Sequence, residues 1–209
     1  MRPLEIELES FRIIDREAGP HDFSPQEWQI VRRMIHTSAD FDYLRTVRFH
    51  PRAIAMGLEA IRAGKPIVTD TRMAHSGIRK AELGRFGVRV VCNMDDPAIH
   101  AAARSSGSTR AAAALDAAVA DMPDAMYVIG NAPTALLRLI ERVRSGEARP
   151  ALMVGLPVGF VNAAESKAAL AALDHPYITN SGRKGGSNVA AAVVNALLLL
   201  AAEKVTSNE

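Results

Sequence analysis

The sequence predicts an α/β fold: a three-layer α/β/α sandwich around a mostly parallel, Rossmann-like sheet. Short uninterrupted apolar runs recur at Pro66–Thr69, Val88–Cys92, Ala125–Ile129, Ala151–Val154 and Tyr177–Thr179, the pattern of strands buried on both faces. They alternate with helical stretches near Pro97–Arg104, Ser108–Val119, Pro133–Val143, Ala163–Leu173 and Asn188–Glu203. Strand–helix alternation implies βαβ units with right-handed crossovers. The length, 209 residues with 48% hydrophobic, suits one domain spanning residues 1–209, because chains divide mainly above about 250–300 residues.

The elements follow in order. The segment before Ser24 reads as a short lead-in, in which Leu4-Glu5-Ile6-Glu7-Leu8-Glu9 alternates apolar and charged residues. Ser24-Pro25-Gln26-Glu27 is a capping box with proline at the first helical position. It predicts a helix from Pro25 to Thr37 with Trp28, Val31 and Ile35 turned inward. A second helix is expected over Pro51–Ala63, where Ile54, Leu58 and Ile61 recur at helical spacing and Gly64 follows as a terminator. The strand–helix rhythm begins after it. The Ala/Leu-rich stretch Val189–Ala202 reads as a buried helix, and Val205–Glu209 as a frayed tail.

Composition excludes several classes. A net charge of +2 argues against a nucleic-acid surface. Cys92 is the sole cysteine, so neither an internal disulfide nor a CxxC metal site is possible; it reads as a buried small hydrophobe. No apolar run reaches the ~18 residues of a membrane span, and the first ten residues carry no signal-peptide pattern. A cytoplasmic protein is expected. His21, His50, His75, His100 and His175 have no metal-ligand spacing. Met73, Met94, Met122 and Met126 read as core filler. The 25 basic residues comprise twenty Arg and five Lys, and guanidinium is the better fork for carboxylate or phosphate.

In open α/β sheets, ligands bind beyond the carboxyl ends of the strands. The residues after the apolar runs there are Asp70-Thr71-Arg72, Asn93, Gly130 to Thr134, Gly155 to Phe160 and Asn180 to Ser187. In Gly182–Ser187, Arg183 and Lys184 sit among three glycines ahead of a helix. The stretch reads either as an anion cradle or as a flexible basic turn. GxxxxGK[ST], GxGxxG and Gly-x-Ser-x-Gly are all absent. His36 lies near a helix C-terminus with Arg33 three residues earlier, hence on one face, and Asp40 and Asp42 follow. Both surroundings favour an imidazolium. It reads either as a proton donor or as a structural cap.

Several segments resemble the precorrin-8X methylmutase family, including its cobalt-precorrin-8 branch. They are Arg33-Met34-Ile35-His36-Thr37-Ser38-Ala39-Asp40-Phe41-Asp42-Tyr43, Val68-Thr69-Asp70-Thr71-Arg72-Met73, Ile129-Gly130-Asn131-Ala132-Pro133-Thr134-Ala135-Leu136, Gly159-Phe160-Val161-Asn162-Ala163-Ala164-Glu165-Ser166-Lys167 and Gly182-Arg183-Lys184-Gly185-Gly186-Ser187. Their order fits from Glu9 to Ala201. One departure is Asn180-Ser181 ahead of the last motif, where a more apolar or basic lead is expected.

The resemblance implies a homodimeric isomerase of cobalamin biosynthesis with no cofactor. It implies His36 as the catalytic residue, with Ser10 and Arg33 as substrate contacts. The implied reaction moves a methyl group from carbon eleven to carbon twelve of ring C in precorrin-8X or cobalt-precorrin-8, giving hydrogenobyrinic acid or its cobalt analogue. The shift is a concerted [1,5]-sigmatropic one, so no covalent nucleophile is needed. Arg33, Arg72, Arg110, Arg183 and Lys184 are suited to hold the substrate's acetate and propionate arms. The competing reading is a non-catalytic tetrapyrrole carrier on the same fold. A nucleotide-dependent oxidoreductase ranks last, for want of the glycine fingerprint and an acidic ribose partner.

Overall fold

The structure, a computed structural model, describes residues 3–203; the tail expected to fray lies outside them. The chain opens with a helix, α1 (Pro3–Ala18), where the sequence reads as a lead-in. The charged–apolar alternation of its first turns does not mark a buried face: Ile6 and Leu8 are exposed, while Phe11 and Ile14 turn into the core. The next helix, α2 (Pro25–Ser38), starts with the expected capping box and ends at Ala39, which takes the left-handed conformation and donates its N–H to the Ile35 carbonyl. Polar contacts clamp α1 onto α2. Asp15 accepts from the Trp28 indole N–H at 2.9 Å and pairs with Arg32 at 3.0 Å, while Glu7 pairs with Arg33 at 3.0 Å.

A short helix, α3 (Tyr43–Thr46), leads into a strand absent from the sequence reading, β1 (Val47–Phe49). With three residues and Arg48 in the middle, it carries no run or alternation long enough to register. After α4 (Ala53–Arg62) the rhythm sets in: β2 (Ile67–Thr69), α5 (Arg72–Gly77), α6 (Lys80–Phe86), β3 (Val90–Val91), α7 (Pro97–Ser106), α8 (Arg110–Asp121), β4 (Met126–Ile129), α9 (Pro133–Arg144), β5 (Leu152–Gly155), α10 (Ala163–Ala171), β6 (Tyr177–Asn180) and α11 (Ser187–Glu203).

The strands form one sheet in the order β1-β6-β5-β4-β2-β3, all pairs parallel except β1 against β6. Successive strand residues serve opposite faces. Ile67, Met126, Val128, Leu152 and Val154 join a core shared with α2, α4 and α11, while Val68, Tyr127, Ile129 and Met153 join a second core with α8 and α9. The three expected layers are therefore present. The Ala/Leu-rich α11 lies inside the first core, with Val193, Val194 and Leu197 fully covered. Met122 and Met126 are core filler as expected, but Met73 is 68% exposed on the first turn of α5. Among the described residues, no helix is long and apolar enough to cross a membrane, and no cluster of His, Cys, Asp and Glu could hold a metal ion.

Candidate functional site

Because β2, β4, β5 and β6 run parallel, their carboxyl ends share one edge of the sheet, and the loops leaving them meet there. The strand order reverses direction between β2 and β4, the place where α/β folds usually receive a ligand's phosphate. Here the chain fills that place itself. The Asp70 carboxylate, at the end of β2, accepts backbone N–H bonds from Gly130 (2.9 Å), Asn131 (2.8 Å) and Ala132 (2.7 Å) at the start of α9. Burial pushes this carboxyl up from its ordinary range, and the N–H donors pull it back down. A nucleotide phosphate would meet a carboxylate there, a physical argument against the oxidoreductase reading.

The neighbouring loops are zipped together. The Gly186 N–H donates to the Leu156 carbonyl at 2.9 Å, and the Gly159 N–H to the Arg183 carbonyl at 3.1 Å. Glycine is required where they touch: a Cβ on Gly185 would be driven into the Leu156 carbonyl. At Gly130 a Cβ would lie 2.6 Å from the Ser187 Cα, so the start of α11 can close over β4 only with glycine there. Thr71 and Ser187 then share a hydroxyl–hydroxyl bond of 2.8 Å.

The end of α2 is stitched to this assembly. The Ser181 N–H donates to the Thr46 carbonyl at 2.8 Å, and the Asn188 amide to the Thr37 carbonyl at 3.4 Å. The Lys184 ammonium lies 2.6 Å from both Asp40 and Asp42; the carboxylates push it up to about 12, and the ammonium, helped by Arg45, holds Asp42 below the ordinary carboxylate range. His36, exposed on the last turn of α2, is thereby carried to the rim of the glycine loops. The two carboxylates that follow it in sequence are engaged by Lys184.

The expected site residues fall into groups. Arg33 and His36 gather around Phe11: the imidazole meets the Phe11 ring edge-on at 5.2 Å, and the Arg33 guanidinium lies 5.2 Å from the ring centroid. Arg33 and His36 thus share a face, as their spacing predicts. Ser10 donates its hydroxyl to the Ile6 carbonyl of its own helix. Arg183 projects over the exposed ring of Phe160 at 5.5 Å. Lys184, expected as a free cation, is engaged as described. Arg72 and Arg110 stand apart from this group on other rim helices, where Arg72 pairs with Asp95 at 2.6 Å and Arg110 approaches His100 at 3.4 Å.

Comparison with known proteins gives this edge its context. The family model described as precorrin-8X methylmutase matches residues 5–200. The chain belongs to the precorrin-8X methylmutase family. Its curated relatives include a cobalt-precorrin-8 methylmutase of Priestia megaterium, 45% identical over 99% of this chain and 92% of that one. A precorrin-8X methylmutase of Sinorhizobium sp is 40% identical over 90% of each chain. A precorrin-8X methyl mutase crystal structure from Thermus thermophilus superposes with a TM-score of 0.88 at 48% identity, covering 95% of this chain and 98% of that one. Membership places the chain among isomerases of cobalamin biosynthesis, and the carrier reading is not favoured.

Sequence reasoning missed two members of this edge. Asp70 stands in a quoted motif, but only the three-dimensional approach of β2 to α9 shows that it caps that helix. Lys167, in another motif, is almost wholly buried at 1% exposure. A lysine in an Ala-rich helix is ordinarily on the solvent side, so nothing local signals its burial.

Proposed function

We propose that this chain moves the ring C methyl group of precorrin-8X or cobalt-precorrin-8 between adjacent carbons, with His36 as the acid that selects the reactive tautomer. The observation that carries the reading is the stitching of the His36 helix end to the Arg183 loop beyond the carboxyl ends of the strands, in a chain of methylmutase sequence. An imidazole at the rim can donate a proton or hydrogen bond to the macrocycle. The concerted shift asks nothing more of the protein than that, together with a fixed substrate geometry.

The acetate and propionate arms fall to Arg183 on the glycine loop and Arg33 near His36, with Arg72 and Arg110 farther round the rim. Ser10, on α1, is assigned as a further substrate contact. Lys184 acts with Asp40 and Asp42 as a strut between the loop and the histidine. Homodimerisation is part of the proposal: α11 spends its apolar surface in the core, whereas Ile6, Leu8 and Ile13 of α1 stay exposed and offer a partner surface. A cytoplasmic location suits the single, unpaired Cys92.

The test is incubation with precorrin-8X and, separately, cobalt-precorrin-8, following the visible spectrum. The proposal expects conversion of at least one substrate to its corrin product. Binding of both without conversion would contradict it.

A further inference from the structure

Lys167, on α10, is one of the largest fully buried side chains, and its hydrogen bonds among the described residues go to an amide oxygen and a backbone carbonyl rather than to a carboxylate. Its ammonium donates to the Asn180 side-chain oxygen at 3.1 Å and to the Lys184 backbone carbonyl. The Asn180 amide donates to the same Lys184 carbonyl at 2.9 Å and to the Ser181 carbonyl at 3.1 Å. Two side chains from the interior thus grip one carbonyl of the rim loop. Burying an ammonium without a counter-charge is expensive, and a methionine of similar volume would fill the same space without that cost. Desolvation pulls Lys167 down to about 8, which registers the same expense.

The gripped carbonyl sits between the two working parts of the loop. One residue before it, Arg183 gives its carbonyl to the Gly159 N–H and projects its guanidinium outward. On the same residue, the Lys184 side chain reaches Asp40 and Asp42 beyond His36. Freed from the ammonium, the Lys184 carbonyl would keep only the Asn180 amide as a side-chain donor, and the backbone beside Arg183 would be held less firmly from the interior.

We propose that Lys167 is a positioning residue: from the interior, through the Lys184 carbonyl and Asn180, it fixes the loop that aims Arg183 at a carboxylate arm of the substrate. The proposal rests on the reading of Arg183 as an anion-holding group given above.

The test is a double-mutant cycle on the full chain, with hydrogenobyrinic acid as the probe. Lys167→Met, Arg183→Ala and the double variant are titrated for product affinity and assayed for kcat and KM. Arg183→Ala and Lys167→Met should each weaken affinity about tenfold, and the double variant should be no weaker than Arg183→Ala alone, since coupled residues are non-additive. Lys167→Met should raise KM by about that factor and lower kcat less than about threefold, a split that loss of folded protein would not produce. If Lys167→Met does not fold, Asn180→Ala removes the second grip on the same carbonyl and should show the same non-additivity with Arg183→Ala. Weakening by Arg183→Ala but none by the Lys167 or Asn180 variant, or additive losses, would overturn the proposal alone. Unchanged affinity in Arg183→Ala would overturn both it and the anion-site reading beneath it.

Discussion

The Lys184 ammonium and the Asp42 carboxylate meet at 2.6 Å across 142 positions of sequence, tying the glycine loop after β6 to the segment that follows His36. Asp40 completes the strut at the same distance. Both partners of the Lys184–Asp42 pair face solvent, and exposed ion pairs add little to stability. On the proposed function, the strut matters instead for where it holds the histidine. Lys184→Met should leave the melting temperature nearly unchanged while turnover falls roughly tenfold, because small misplacements of catalytic groups are costly. Calorimetry and a steady-state assay on the same preparation check this; a normal rate would reduce the strut to ornament.

The cap on α9 behaves differently. Asp70→Asn preserves volume but turns one accepting oxygen into an N–H donor facing other N–H donors. With the carboxylate buried at 5% exposure, the expected loss is about 2–4 kcal/mol of unfolding free energy. Urea denaturation measures it directly, and a loss under about 1 kcal/mol would mean that the three N–H groups find other partners.

The fold was largely legible because its strands are buried on both faces and so stand out as apolar runs, Val68 and Met153 facing one core while Ile67 and Leu152 face the other. The misses have physical causes. In α1, Leu4-Glu5-Ile6-Glu7-Leu8-Glu9 alternates apolar and charged residues, a period of two that hides the helix, and Ile6 and Leu8 are exposed rather than marking a buried face. In β1, three residues with Arg48 at the centre depend on antiparallel pairing with Thr179 and its neighbours, a tertiary contact. Within the site, the shared face of Arg33 and His36 follows from local spacing. The engagement of Lys184, the Asp70 cap and the burial of Lys167 all depend on residues tens of positions away, and no periodicity carries that information.

Lys167 also gives a pH signature. Its folded-state value is depressed from 10.5 to about 8, so the native state releases its proton before the unfolded chain does. Between about pH 8 and 10.5 the unfolded state binds more protons, and this group makes stability rise with pH. Its cost is full below pH 8 and gone above 10.5, on the order of 3 kcal/mol across the window. Relative to Lys167→Met, the wild-type protein should therefore gain unfolding free energy as pH rises from 8 to 10.5. Parallel urea curves at these pH values for the two proteins check it, and a constant difference would contradict the burial cost.

The central claim, that His36 is the acid in a methyl migration, is tested most directly by the single-turnover rate of His36→Ala on precorrin-8X or cobalt-precorrin-8, measured on protein whose fold and product affinity have been verified. The imidazole is exposed on a last helical turn, where alanine is well tolerated, and the proposal assigns the arms to arginines elsewhere, so folding and binding should persist. The account predicts a rate lower by about 10²–10⁴-fold, the usual contribution of a general acid. A folded His36→Ala protein that binds product normally and turns over at near the wild-type rate would contradict it.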